Sequence, residues 1–247
     1  MDRQREVAGC FHGSFHGNGL GLGSGRFSAK ASSGLILFFD ETKREIARFP
    51  LIKLTATEDA TFELFQVTIG GRFHWERKEN QTFRGNLILL PREDGTITAV
   101  NEIPLEDYLQ SVISSEMSAD APMEFLKAHA ILSRSWLMAA LTRKKKQGGI
   151  SLPTRRSPEK EGEVIRWYDR EDHDLFDVCG DDHCQRYQGV RKILSGRAQE
   201  AVGETSGKVI TYKGEICDAR YSKACGGLTE DFDTAWGDKR IPYLTSI

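Results

Sequence analysis

Thr96-Ile97-Thr98-Ala99-Val100-Asn101-Glu102-Ile103-Pro104-Leu105-Glu106-Asp107-Tyr108-Leu109-Gln110-Ser111-Val112-Ile113 is the stretch where the chain changes its period. Thr96–Val100 reads as a strand, paired across Pro91-Arg92-Glu93-Asp94-Gly95 with Asn86–Leu90 as a hairpin. From Asn101 the pattern shifts. Leu105, Leu109, Val112 and Ile113 repeat at helical spacing, and Pro104 suits the first helical position. Ser114-Ser115-Glu116-Met117-Ser118 reads as a break. A second helix is expected from Asp120-Ala121-Pro122 to about Lys146, burying Leu126, Ala130, Ser133, Leu137 and Ala140. Arg143-Lys144-Lys145-Lys146 closes it, with cations offsetting the negative end of the helix dipole.

Working outward, residues 27–97 read as a β-rich region. Gly34–Asp40 is an apolar strand. Thr61–Ile69 and Arg72–Glu76 flank Gly70-Gly71 as a two-residue hairpin. Phe73, Trp75 and Phe83 read as core or sheet-face residues. After the helices, Val209–Tyr212 and Ile216–Tyr221 flank Lys213-Gly214 as a further hairpin, and a loop runs from Gly226-Gly227 to Trp236-Gly237. The fold class is therefore α+β: an N-terminal β-rich region, a central helix pair and a C-terminal β-hairpin region with loops. Two stretches stand outside it. Residues 1–26 hold a Gly/His/Ser-rich tract with neither period, expected to be a flexible segment. Residues 147–172 are expected to be a polar surface insertion.

Composition removes whole classes of function. Lys and Arg number 34 against 36 Asp and Glu, a net charge of −2, so no global basic field exists to hold nucleic acid. No run of apolar residues is long enough for a transmembrane helix. Met1-Asp2-Arg3-Gln4-Arg5-Glu6 is charged and no apolar segment follows it, so a signal peptide is absent from this chain. The five cysteines are too few for a disulfide scaffold at this length, but Cys179, Cys184, Cys217 and Cys225 cluster. Two cysteines and two histidines, His173, Cys179, His183 and Cys184, fall within 12 residues and are the ligand types that zinc prefers. A Cys179–Cys184 disulfide or free thiols are the alternatives. His183 and Cys184 are neighbours, so only a loop turns both towards one point.

Four segments stand in a recognisable order: Asn101-Glu102-Ile103-Pro104-Leu105-Glu106-Asp107-Tyr108-Leu109; Ser115-Glu116-Met117; Leu126-Lys127-Ala128-His129-Ala130-Ile131-Leu132-Ser133-Arg134-Ser135-Trp136; and Gly226-Gly227-Leu228-Thr229-Glu230. Together they resemble the SpoIID family, the stage II sporulation protein D and amidase-enhancer domains of bacteria. The likeness runs from about Thr98 to the C-terminus, which sets a SpoIID-like domain at 98–247, and the chain ends where family members usually continue. It implies a cell-envelope location and a peptidoglycan substrate. It also implies a lytic transglycosylase that cuts glycan strands and leaves 1,6-anhydro-muramic acid ends. The catalytic acid falls on Glu116. Cleavage of a glycosidic bond needs a protonated carboxyl beside the leaving oxygen, and partial burial after Val112-Ile113 is expected to favour that form. The resemblance further implies substrate contacts from Arg134, Tyr187, Ser222, Gly226, Gly227, Thr229 and Trp236. Arg134 has an alternative use as the anchor of a backbone carbonyl, and Tyr187 and Trp236 are equally open to a place in the core. The two best motifs are expected to border one groove, with Glu116 and the Gly226-Gly227 loop on it. A structural zinc on His173, Cys179, His183 and Cys184 agrees with some members, and the chemistry itself needs no cofactor. Three departures stand out: His129 for the usual Gln, Ser135-Trp136 for Thr-Tyr, and Ser222-Lys223 for His-Ser. They keep a second reading open, a non-catalytic wall-binding module that positions or stimulates a cell-wall amidase.

Overall fold

The computed structural model describes residues 1–71, 73–146, 173–181, 183–193, 195–236 and 239–247. The polar insertion expected at 147–172 lies outside the described residues. The chain divides into two compact units. The first is Met1–Asp120 with Val178–Glu200; the second is Ala121–Asp177 with Ala201–Ile247.

The first unit carries eleven strands among its described residues: β1 (Val7–His12), β2 (Phe15–Gly17), β3 (Leu20–Leu22), β4 (Gly25–Ser32), β5 (Leu35–Phe39), β6 (Glu45–Phe49), β7 (Ile52–Ala56), β8 (Thr61–Ile69), β9 (Arg77–Arg84), β10 (Asn86–Pro91) and β11 (Ile97–Glu102). They form two antiparallel sheets, ordered β6-β5-β4-β1-β8-β9 and β11-β10-β7-β2-β3. Inward residues alternate along each strand, as a half-buried sheet requires. Phe11, Phe27 and Phe38 stack from one sheet, and Phe15 of the other meets Phe62 edge-on at 6.1 Å. Ile52, Leu54, Leu87, Leu89 and Ile97 complete this core at zero exposure.

The Gly/His/Ser tract is therefore not a flexible segment. It supplies β1, β2 and β3, and Phe11 and Phe15 are buried. Its glycines serve close approach rather than mobility. A Cβ on Gly9 would strike the Glu63 carbonyl and the Phe27 ring, and one on Gly17 would strike the Lys53 carbonyl.

A second difference concerns the hairpin after β8. β9 begins at Arg77, so residues 73–76 of the strand expected at Arg72–Glu76 lie outside it, and Arg72 lies outside the described residues. Gly70 takes φ +66°, and Phe73 N–H and Glu76 N–H close successive turns on Gly70 O and Phe73 O. The amides of Gly70 and Gly71 donate instead to the Asp181 carboxylate, each at 2.9 Å. Phe83 is buried as expected, but Trp75 is 38% exposed and stacks on Phe73 at 4.4 Å.

Helix α1 (Leu105–Glu116) follows β11, with Pro104 in extended geometry at its N-cap and Glu106 and Asp107 in its first turn. It buries Tyr108, Leu109, Ser111, Val112 and Ile113. The serines do not break it. Ser114 Oγ donates to Gln110 O at 2.7 Å, so the hydroxyl is satisfied inside the helix. The break comes at Met117, which is extended.

The second unit is built on α2 (Met123–Lys146), which buries Leu126, Ala130, Ser133 and Leu137, and also His129, Arg134, Ser135 and Trp136. Ala140 is only half-buried. The basic end does more than face a dipole: Lys144 Nζ donates to Phe176 O at 2.7 Å, and Arg143 pairs with Asp218 at 3.5 Å. Helix α3 (Gly196–Glu204) spans the boundary between the units. The third hairpin exists as two-residue strands, β12 (Thr211–Tyr212) and β13 (Glu215–Ile216), shorter than expected. Lys213 and Gly214 both take positive φ between them, +51° and +81°, as a type I′ turn requires. No helix among the described residues is long and apolar enough to cross a membrane.

Candidate functional site

Glu116 is the last residue of α1 and is half-buried. Its Oε1 accepts the Arg186 N–H at 3.0 Å. The segment that provides this donor is pinned twice more to α1. Tyr108 Oη donates to Gln185 Oε1 at 3.1 Å, and Ser111 Oγ donates to Gly189 O at 2.7 Å. A backbone donor thus helps to orient the carboxylate. Arg186 carries no sign of this role in the sequence, because its amide does the work.

Of the two places open to Tyr187, sugar platform and core, the structure takes the core. Its ring lies on Tyr108 at 5.0 Å and its hydroxyl donates to Asn101 Oδ1 at 2.6 Å. Burial holds its phenol protonated, well above the ordinary tyrosine range. Asn101 reaches the other way too, its Nδ2 donating to Arg84 O at 2.7 Å. The first residue of the first motif is therefore a clamp between a strand end and the Gln185–Gly189 segment.

That segment begins with the His/Cys loop. Cys179, His183 and Cys184 bring their ligand atoms within 4.8 Å of one another. His183 Nδ1 is 3.4 Å from Cys184 Sγ and 4.0 Å from Cys179 Sγ. Tetrahedral zinc with bonds of about 2.3 Å to sulfur and about 2.0–2.1 Å to nitrogen sets sulfur and nitrogen about 3.6 Å apart, and the two separations bracket that value. No disulfide joins Cys179 and Cys184 in this structure. A His/Cys cluster that could bind a metal is present. The neighbours His183 and Cys184 reach one point because Cys184 N–H closes a turn on Asp181 O at 2.9 Å. Asp181 in turn holds the Gly70-Gly71 amides, so the loop is fastened to the end of β8. His173 lies six residues before Cys179, in the second unit's part of the chain, with its ring stacked on Phe176 at 4.4 Å.

The remaining expected contacts sit in the second unit. Arg134 is not at a surface: it is 2% exposed, and its guanidinium donates to Lys208 O at 3.1 Å and to Val202 O at 3.4 Å. Of its two expected uses, the structure takes the backbone anchor. Replacing Arg134 by Met removes its donors from Lys208 O and Val202 O, the latter keeping the Thr205 hydroxyl, and is expected to cost about 1–3 kcal/mol of stability; urea denaturation checks this, and a loss near zero would contradict the anchoring role. His129 is also buried, edge-on to Tyr221 at 5.1 Å. Ser135 accepts the Ile210 N–H at 2.9 Å while donating to Ile131 O. Ser222, Gly226 and Gly227 are exposed, the glycines at φ +71° and +106°. Thr229 accepts the Ile247 N–H at 2.9 Å. Trp236 is 55% exposed, with the Arg220 guanidinium 4.6 Å from its ring centre.

The model of the family described as SpoIID, stage II sporulation protein, matches residues 93–212. These residues belong to the SpoIID family. Glu116, Arg134, the His/Cys loop and Tyr187 fall inside the SpoIID match; Ser222 to Trp236 fall beyond it. The chain is 26% identical to the stage II sporulation protein D of Bacillus subtilis, over 69% of this chain and 46% of that protein. It is 32% identical to the amidase enhancer of the same organism, over 55% of this chain and 14% of the other. It is 30% identical to an uncharacterized protein of Brachyspira hyodysenteriae, over 67% and 37%. The chain spans less than half the length of each of these relatives.

Proposed function

We propose that this protein acts on the bacterial cell wall by cutting peptidoglycan glycan strands as a lytic transglycosylase, with Glu116 as its single acid and base. The observation that carries this reading is a half-buried carboxylate at the Ser-Glu-Met motif, oriented by the Arg186 N–H at 3.0 Å. The chemistry balances with one carboxyl. Glu116 gives its proton to the leaving glycosidic oxygen as the bond from that oxygen to C1 breaks. The 6-hydroxyl oxygen of the same sugar bonds to C1, and its proton passes to Glu116. No water enters, so the second carboxylate that hydrolases use to direct water is not required. Among the exposed candidates, Trp236 offers a ring for sugar stacking, and Ser222, Gly226 and Gly227 lie on the late motif with the half-buried Thr229. Incubation with peptide-stripped glycan strands tests the reading: soluble fragments should appear with the protein and be absent with Glu116→Gln. The likeness to an amidase enhancer favours one rival, a wall-binding module that stimulates an amidase. That rival expects binding without fragments, and faster amidase turnover in its presence.

The His/Cys loop is proposed to carry a structural zinc on Cys179, His183 and Cys184 with His173 as the fourth ligand. The metal would supply a cross-link and no chemistry, since the proton transfers belong to Glu116. The loop has no long apolar run, so a metal offsets the entropy of ordering it. Asp181 positions the loop through the Gly70 and Gly71 amides. Asp181→Ala is expected to weaken zinc binding about 10–100-fold, as loss of an outer supporting contact does; competition with a chromophoric chelator reads this out, and an unchanged affinity would contradict it.

A further inference from the structure

Cys179 and Cys184 stand close in sequence on backbone that hydrogen bonds fasten at both ends. The Asp181 carboxylate takes the Gly70 and Gly71 amides, each at 2.9 Å. Cys184 N–H closes on Asp181 O at 2.9 Å, and Tyr187 N–H closes on Gly180 O at 3.1 Å. The two sulfurs lie within 4.8 Å of one another. Tetrahedral zinc sets two thiolates about 3.8 Å apart, with bonds of about 2.3 Å. A disulfide sets them about 2.05 Å apart. From a spacing of at most 4.8 Å, a shift of under about 3 Å reaches either arrangement. The two arrangements exclude each other, because the sulfur electron pair and charge that bind a metal are taken up by the S–S bond.

The other thiols are placed differently. Cys179 and Cys184 are both half-buried and His183 is exposed, so a small oxidant reaches the pair from solvent. Cys217 is 2% exposed, and burial pushes its thiol up, which slows its attack on an oxidant. Cys10 lies half-buried on β1, with its Sγ donating to Phe11 O at 3.6 Å. Cys225 is exposed and is the rival for oxidation. The pair also stands beside the candidate carboxylate: Arg186, two residues after Cys184, gives its N–H to Glu116 Oε1 at 3.0 Å.

We propose that the Cys179–Cys184 pair is a redox switch, in which a peroxide turns two metal-binding thiolates into a disulfide and releases the zinc from the loop beside Glu116. The proposal rests on the zinc reading above and not on glycan cleavage. One thiolate attacks the peroxide, the O–O bond breaks, hydroxide leaves and the sulfur becomes a sulfenic acid. The other thiolate attacks that sulfur, the S–O bond breaks, a second hydroxide leaves and the S–S bond forms. Two electrons pass from the sulfurs to one peroxide, and two protons from solvent turn the hydroxides into water. Dithiol reductant reverses the step by exchange, and the loop can then take zinc again.

The test treats the reduced, zinc-loaded chain with hydrogen peroxide and follows zinc with a chromophoric chelator. Zinc is expected to leave in step with a loss of about two mass units from the peptide that carries Cys179 and Cys184. Dithiothreitol with added zinc should restore the starting mass and metal content. Cys225→Ser removes the rival thiol and should release zinc at the wild-type rate. Zinc retained while Cys225 alone is oxidised overturns the switch and leaves the metal reading standing. Zinc lost with sulfinic acid at Cys179 or Cys184 and no S–S bond also overturns it, as does loss of the release in Cys225→Ser. A reduced chain that takes up no zinc overturns the metal reading and the switch together.

Discussion

Replacing Glu116 by Gln is expected to abolish release of soluble glycan while leaving the fold intact. Gln keeps the shape of the side chain and its amide oxygen still accepts the Arg186 N–H, which Glu116 Oε1 accepts now at 3.0 Å. It cannot pass a proton. Positioned acid–base catalysis contributes on the order of 10²–10⁴-fold for one proton transfer, and Glu116 is asked for two. The rate should therefore fall below detection. Circular dichroism and the thermal midpoint should stay at their wild-type values, because the residue ends a helix whose buried face lies at Tyr108 to Ile113. Undiminished turnover in a folded variant would remove Glu116 from the chemistry.

Loss of the metal is the second large effect. Chelation, or the pair Cys179→Ser and Cys184→Ser, is expected to take zinc content from about one equivalent to none. A ligand that binds only the folded state stabilises by about 4 kcal/mol when its free concentration is a thousandfold above Kd. For a chain of this size that is a fall of about 8–16 °C in the thermal midpoint. The effect should centre on the Cys179–Gly189 segment, because this segment carries three of the four proposed ligands and the Arg186 amide that bonds Glu116. Elemental analysis of protein purified without a histidine tag decides the matter. Less than about a tenth of an equivalent of zinc, with no change of midpoint on chelation, would contradict the metal.

The α+β class and the change of period at Asn101 were legible because helix and strand periods are local. Leu105, Leu109, Val112 and Ile113 carry their spacing in plain view. Cys179, His183 and Cys184 were legible by ligand type and short spacing. What the sequence hid is what depends on distant partners. The glycines at 9 and 17 look like freedom in one dimension. In the sheets they are the places where a neighbouring carbonyl or ring leaves no room for a Cβ. The turn after Gly70-Gly71 lengthens because Asp181, far along the chain, takes both amides. Arg134 reads as a sugar ligand or a backbone anchor until Val202 O and Lys208 O decide for the second. Tyr187 reads equally as platform or core until Asn101 and Tyr108 enclose it.

The central claim is that Glu116 transfers protons for an attack by the sugar's own 6-hydroxyl. Mass spectrometry of the products from peptide-stripped glycan strands tests it most directly. The account predicts fragments ending in 1,6-anhydro-muramic acid, one water lighter than a reducing end, present with the wild-type protein and absent with Glu116→Gln. Fragments with ordinary reducing ends, or no fragments from a folded and glycan-binding wild-type protein, would contradict it.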